Sequence, residues 1–120
     1  MARILLAGHH WQARALLRAQ LIEEGLDVEA HETIREALKS LEASPALPTL
    51  FVADLTFSDD PASDAQLLSA WSMRVPIWIL ASRSLIVQEF LKGHGFEMTF
   101  FRPIDLGELV EQIKQRLMER

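Results

Sequence analysis

Leu50-Phe51-Val52-Ala53-Asp54 is four apolar residues running into a single carboxylate. A loop over residues 55–60 follows, and then Pro61. A short apolar run bounded by turn signals has the pattern of a strand buried on both faces, as in a parallel sheet. A carboxylate where such a strand leaves the sheet lies at the carboxyl edge, where open α/β folds hold their ligands. Asp54 is therefore the first candidate functional residue. What it can do depends on what the neighbouring elements bring to the same edge.

Outward from this strand, apolar runs and helical stripes alternate. Residues 2–7 are a short apolar run ended by Gly8 and read as a first strand. Residues 11–24 carry Ala13, Leu16, Leu17 and Leu21 at helical spacing, and Gly25 is placed to stop that helix in the left-handed region. Residues 26–30 alternate Val28 and Ala30 with Asp27 and Glu29, which predicts a half-exposed edge strand. Thr33 with Glu36 three residues on is a capping-box pattern, and Ile34, Ala37, Leu38 and Leu41 form the stripe behind it. Residues 44–48 break that helix.

Beyond Asp54, Asp60 and Pro61 fit the cap and first position of a third helix, with Leu67, Leu68 and Trp71 on its buried face. Residues 76–81 are a fourth strand, apolar throughout, with Trp78 in its centre. A fourth helix is expected over residues 84–94, burying Ile86, Val87, Phe90 and Leu91. Residues 98–101 are a fifth strand. Asp105 with Glu108 repeats the capping pattern, and Leu106, Leu109, Val110, Ile113 and Leu117 mark the last helix.

Alternation at this spacing means βα crossovers and a parallel five-stranded sheet covered on both faces. The most apolar strands, the first, third and fourth, belong in the centre. The expected fold is a flavodoxin-like (βα)5 three-layer sandwich of strand order 2-1-3-4-5. A chain of 120 residues fits one domain over 1–120, and 49% hydrophobic with 24% charged residues is ordinary globular composition. There are no cysteines, which excludes disulfides, thiolate metal sites and a cysteine nucleophile. A net charge of −5 argues against direct nucleic-acid binding and against an anionic membrane surface. No apolar run is long enough for a membrane span, and a cytoplasmic location is expected. No phosphate-cradling glycine loop and no Gly-x-Ser-x-Gly elbow is present, which argues against a nucleotide phosphate site and a hydrolase elbow; no enzymatic activity is expected of the chain.

The pieces Ile4-Leu5-Leu6-Ala7 with Arg14 and Leu16-Leu17, Glu36-Ala37-Leu38, Phe51-Val52-Ala53-Asp54, Pro76-Ile77-Trp78-Ile79-Leu80, Gly95, and Phe101-Arg102-Pro103-Ile104-Asp105 stand in the order and spacing of a known family. The chain resembles the receiver domains of two-component response regulators over nearly its full length. The resemblance implies that Asp54 occupies the position that accepts a phosphoryl group from a histidine kinase. It also implies that the surrounding site is degenerate. Gly8 and His9 stand where two acidic residues hold Mg²⁺. Ala81, followed by Ser82, stands where a hydroxyl is usual, Arg102 where a lysine precedes proline, and Thr99 at the aromatic switch position.

Phosphoryl transfer needs a cation to neutralise charge gathering on oxygen, and Mg²⁺ wants several oxygen ligands in octahedral array. With Asp54 as the one carboxylate, Mg²⁺ binding is expected to be weak or absent and no other metal or cofactor is implied. A metal held by His9, His10 and Asp54 lacks a supporting ligand motif, and a cation site completed by Asp59 or Asp60 competes with Asp60 as a helix cap and Asp59 as a solvated residue. The expected function is a pseudo-receiver in a two-component or phosphorelay-type system, working by protein–protein contact with a partner, an output domain or a histidine kinase. A homodimer through residues 84–120 is open, with Glu108, Glu111, Gln112, Lys114, Arg116 and Glu119 on the last helix to pair across a two-fold. The last helix reaches Arg120 without a stop signal, which leaves room for an output domain beyond it. Two alternatives stand: a conventional phospho-accepting receiver using Asp54, and a flavodoxin-like module binding a small ligand in the vacated cleft. Asp54 itself is expected to pair with Arg102 or His9. Trp11 is expected to pack over the pocket, with an exposed anchor as the other option. His31 and His94 read as isolated surface or loop residues.

Overall fold

A computed structural model describes residues 3–118. Ala2 of the expected first strand, and Glu119 and Arg120 of the last helix, lie outside the described residues. The elements run β1 (Arg3–Gly8), α1 (Trp11–Glu23), β2 (Asp27–His31), α2 (Ile34–Ala43), β3 (Leu50–Asp54), α3 (Pro61–Ser69), β4 (Ile77–Ala81), α4 (Leu85–Leu91), β5 (Met98–Phe101) and α5 (Leu106–Met118). The strands are parallel in the order 2-1-3-4-5, as the alternation predicts.

Side-chain alternation along the central strands sorts the core into two slabs. Leu50 and Val52 join Ile4, Leu6, Trp78 and Leu80 under Leu17 and Leu21 of α1 and Leu109, Val110 and Ile113 of α5. Phe51 and Ala53 join Leu5, Ala7, Ile77 and Ile79 under α2, α3 and α4. Every residue of β3 and β4 is buried, which explains why both read as unbroken apolar runs. Burying a side chain the size of Phe51 contributes about 2–3 kcal/mol relative to leaving it in water.

The helix starts follow the expected caps. Thr33 Oγ1 accepts from the Glu36 N–H at 3.1 Å, Asp60 Oδ1 from the Ser63 N–H at 3.1 Å, and Asp105 Oδ1 from the Glu108 N–H at 3.0 Å. Each such bond satisfies one of the donors a helix leaves open at its start, and is worth about 1 kcal/mol. Gly25 has φ +82, the left-handed turn that ends α1.

Several details depart from expectation. The fourth helix stops at Leu91 rather than near residue 94, because Lys92 is extended and Gly93 turns the chain at φ +80. Ile86 is 79% exposed and does not join the core. Trp71 lies past the end of α3, half-buried, with the Arg74 guanidinium 4.4 Å over its ring. Leu16 is exposed: Leu17 and Leu21 form the buried stripe, and Leu16 sits about 100° around the helix from Leu17. His31 is half-buried and bonded to Glu29 at 2.6 Å, while His94 stacks on Phe96.

One carboxylate ties α5 to the sheet. Glu97 accepts from Trp78 Nε1 at 2.7 Å and from Arg116 Nε and Nη2 at 2.6 and 2.8 Å. The Arg116 guanidinium, helped by the indole N–H, holds the Glu97 carboxyl below the usual glutamate range. A carboxylate with a lowered folded pKa contributes stability above the ordinary glutamate pKa and loses it as pH falls through the folded value. We expect Glu97→Ala to lower stability at neutral pH by about 1–2 kcal/mol, with Trp78 left short of a partner. In denaturant melts, the gap between variant and parent narrows as pH drops below about 4.

Candidate functional site at the carboxyl edge

Strand register sets the site. Gly8 pairs with Asp54, Asp54 with Leu80, and Ala81 with Phe101, so four strand ends finish side by side. Asp54 is only 7% exposed. A carboxylate this buried needs hydrogen-bond donors, because each unmet oxygen would lose its hydration without compensation. Both oxygens have one. Asp54 Oδ1 accepts the Thr56 N–H at 2.9 Å, the local turn that Asp side chains favour two residues on. Asp54 Oδ2 accepts from Arg102 Nη2 at 2.6 Å.

Arg102 closes the arrangement by donating from Nε to Thr56 Oγ1 at 2.9 Å. The end of β5 positions it. The Arg102 N–H is bonded to the Ala81 carbonyl at 2.9 Å, and the Arg102–Pro103 bond is cis. A planar guanidinium can use two of its N–H groups in fixed directions at once, which a lysine ammonium on its flexible stem does not match. Of the two partners expected for Asp54, Arg102 is the one the structure provides.

Gly8 is held at close quarters. A Cβ added there would stand 3.0 Å from the Asp54 Cβ, a tight contact, so a side chain at position 8 requires its neighbours to give by a few tenths of an ångström. The Gly8 carbonyl accepts from Arg14 Nη1 at 2.5 Å. His9 is not a partner of Asp54. It lines a cavity of about 250 Å³ on the α2 and α3 side, with Thr33, Arg35, Ser58, Asp59 and Asp60. His10 caps α1, its Nδ1 accepting from the Ala13 N–H at 3.2 Å, and its ring lies 4.8 Å from that of Phe57. Asp60 is occupied as the α3 cap.

Ala81 is fully buried and offers no hydroxyl; Ser82 beside it is half-buried. Thr99 is half-buried in β5, opposite Ile79. Among the described residues, no group of three or more His, Asp or Glu side chains is arranged to hold a metal ion. Trp11 is 65% exposed instead of packed over the site, because it lies about 120° around α1 from the buried Leu17. Three participants escape a reading of the sequence alone. Thr56 is the hydroxyl that bridges to Arg102, Arg14 holds the end of β1, and Asp64 is buried on α3 as acceptor for Ser58 Oγ at 2.6 Å. Thr56 carries a faint signal, since it stands two residues after a strand-ending Asp.

Known structures share this architecture. The non-phosphorylated receiver domain of HemR from Leptospira biflexa superposes with a TM-score of 0.79 at 24% identity, covering 100% of this chain and 97% of that one. The chain has the receiver-domain fold. A CheY-like response regulator receiver protein from Methanospirillum hungatei gives 0.81 at 22% identity, over 98% of this chain and 94% of that one. The response regulator TrrA from Thermotoga maritima, solved with Mg²⁺-BeF, gives 0.76 at 22% identity, over 97% and 99%. No family profile and no curated protein matches the sequence. Within this receiver fold, Asp54 stands at the end of the central strand with an arginine already bonded to it.

Removing the arginine alone strands a buried carboxylate. We expect Arg102→Ala to destabilise the fold by about 2–3 kcal/mol, more than an exposed ion pair could account for. Adding Asp54→Asn to that variant should recover part of the loss, because the orphaned charge goes with it. Equal additive losses in chemical denaturation of the two single variants and the double variant would show that the pair is not coupled.

Proposed function

We propose that the chain works as a receiver-like signalling module of a two-component or phosphorelay-type system, through protein–protein contact and without phosphoryl turnover. The observation that carries this is the Arg102 guanidinium bonded to Asp54 and Thr56 together. An attacking carboxylate oxygen must be free to reach phosphorus, and Asp54 Oδ2 is bonded to Arg102 while Oδ1 serves the Thr56 N–H.

The residues present do not fit Mg²⁺. The ion needs oxygen ligands near octahedral positions, and imidazole is a poor substitute. Gly8 has no side chain, His9 lines the other cavity, and the single carboxylate is already neutralised. Ala81 supplies no hydroxyl toward a phosphoryl oxygen, and Ser82, the neighbouring hydroxyl, is one residue out of place. Gly8, Ala81, Ser82 and Arg102 at the neighbouring strand ends then make a degenerate surround for an inactive Asp54, with His9 lining the other cavity and Thr99 at the switch position. The role is non-enzymatic.

A protein partner, an output domain or a histidine kinase is favoured over a homodimer through residues 84–120. Lys114 on α5 already pairs with Glu24 at 3.0 Å and with Glu111 at 3.7 Å, and Arg116 pairs with Glu97, while Glu108 and Gln112 stay exposed. Among the described residues, the basic ones of that face are already engaged within the chain, so a two-fold contact there has few free cations to set against Glu108, whereas a basic partner would complement it. The net charge of −5 disfavours nucleic acid as that partner. No helix among the described residues is long and apolar enough to cross a membrane. Residues 1–120 acting as one receiver-like unit in the cytoplasm fits these features.

The test is direct. Incubated with Mg²⁺ and acetyl phosphate, the chain should show no mass increase, and beryllofluoride with Mg²⁺ should leave its tryptophan fluorescence unchanged. A response that vanishes in Asp54→Asn would overturn the proposal and establish a conventional phospho-accepting receiver.

A further inference from the structure

We propose that the cavity between α1 and α5 is a binding site for a small organic monoanion, a benzene-sized apolar body bearing one carboxylate. The cavity measures about 170 Å³ and lies on the α1 and α5 side of the sheet, reaching the Asp54–Arg102 pair. Its walls are mostly apolar, with Leu17, Leu80, Ile104, Leu106 and Leu109 among them. An apolar cavity of about 150 Å³ is enough to admit benzene.

The polar groups define the charge of the occupant. Three charged side chains line the cavity: Arg14, Asp54 and Arg102. Asp54 and Arg102 neutralise each other at 2.6 Å. Arg14 is half-buried, spends Nη1 on the Gly8 carbonyl, and has no carboxylate within ion-pair distance among the described residues. The lining therefore carries one unbalanced positive charge beside an apolar wall. A guanidinium presents several N–H groups in a fixed fork that suits a carboxylate. Apolar pockets with a few convergent polar groups are how proteins hold small ligands. An apolar body against Leu17, Leu106 and Leu109, with its carboxylate on Arg14, satisfies both halves of the lining. This site does not rest on the signalling proposal, since Arg14 keeps its charge whether or not Asp54 accepts a phosphoryl group.

Benzoate is the probe, and benzamide its neutral counterpart of the same shape. The full isotope-labelled chain is titrated with each in Mg²⁺-free buffer, and backbone amide shifts are followed by NMR. Benzoate is expected to give saturable shifts that cluster at the cavity-lining segments of α1 and α5. Benzamide should bind about tenfold more weakly or worse, the difference a charge-assisted hydrogen bond makes. Arg14→Gln should erase the preference for benzoate, and Arg18→Gln, an exposed change on the same helix, should leave it intact. The proposal is overturned if benzoate gives no saturable shift, if benzamide binds equally well, or if Arg14→Gln keeps the preference. Should Arg14→Gln not fold, the comparison of benzoate with benzamide on the unaltered chain decides alone.

Discussion

Burial of β3 on both faces is the constraint from which the remaining structure follows. Leu50 to Ala53 can leave water only if a helix layer covers each side of the sheet, and the chain provides α1 and α5 on one side and α2, α3 and α4 on the other. The same burial reaches the last residue of the strand, Asp54. A charged group at that depth is tolerated only with donors on its oxygens. The Thr56 N–H supplies one at once from the local turn. The other comes from Arg102, 48 residues away in sequence.

Arg102 is thus a structural solution to a problem that the fold creates. By the resemblance in sequence, Asp54 stands at the position expected of a phospho-acceptor. Here the place beside it is filled by a guanidinium that also grips Thr56. The close approach of Gly8 to Asp54 belongs to the same economy: with no Cβ in the way, β1 and β3 finish in register, and the Gly8 carbonyl stays open to Arg14. Two arginines and one carboxylate consequently line one cavity. One arginine balances the carboxylate, and the other leaves a positive charge facing the apolar walls. The proposed signalling through contact and the proposed small-anion binding are compatible, since neither calls on Asp54 to react.

The element pattern was readable because it is local. Unbroken apolar runs marked β3 and β4, alternation marked the edge strand β2, and Thr33, Asp60 and Asp105 announced three helix starts that the hydrogen bonds bear out. Misreadings came where a stripe had to be assigned a face. Leu16 and Ile86 have the right spacing for a core and are exposed, because the rotation of a helix on its sheet is set by which neighbours dock beneath it. Trp11 has the apolar character of a buried aromatic, and the first turn of α1 points it to solvent instead.

By itself, then, the sequence determined a five-stranded parallel α/β fold, its strand order, and the position of an acid at the carboxyl edge. Periodicity, caps and breakers act over a few residues and need no knowledge of the rest. Only the tertiary structure decided that Asp54 bonds to Arg102 and not to His9, that Thr56 completes the set, and that Arg14 meets the cavity without an acidic partner among the described residues. Those outcomes depend on where β5 docks against β4, and on which side of the sheet each loop leaves. A chain read in one dimension carries the residue types for several pairings. Packing selects one in which, among the described residues, no buried side-chain oxygen lacks a partner.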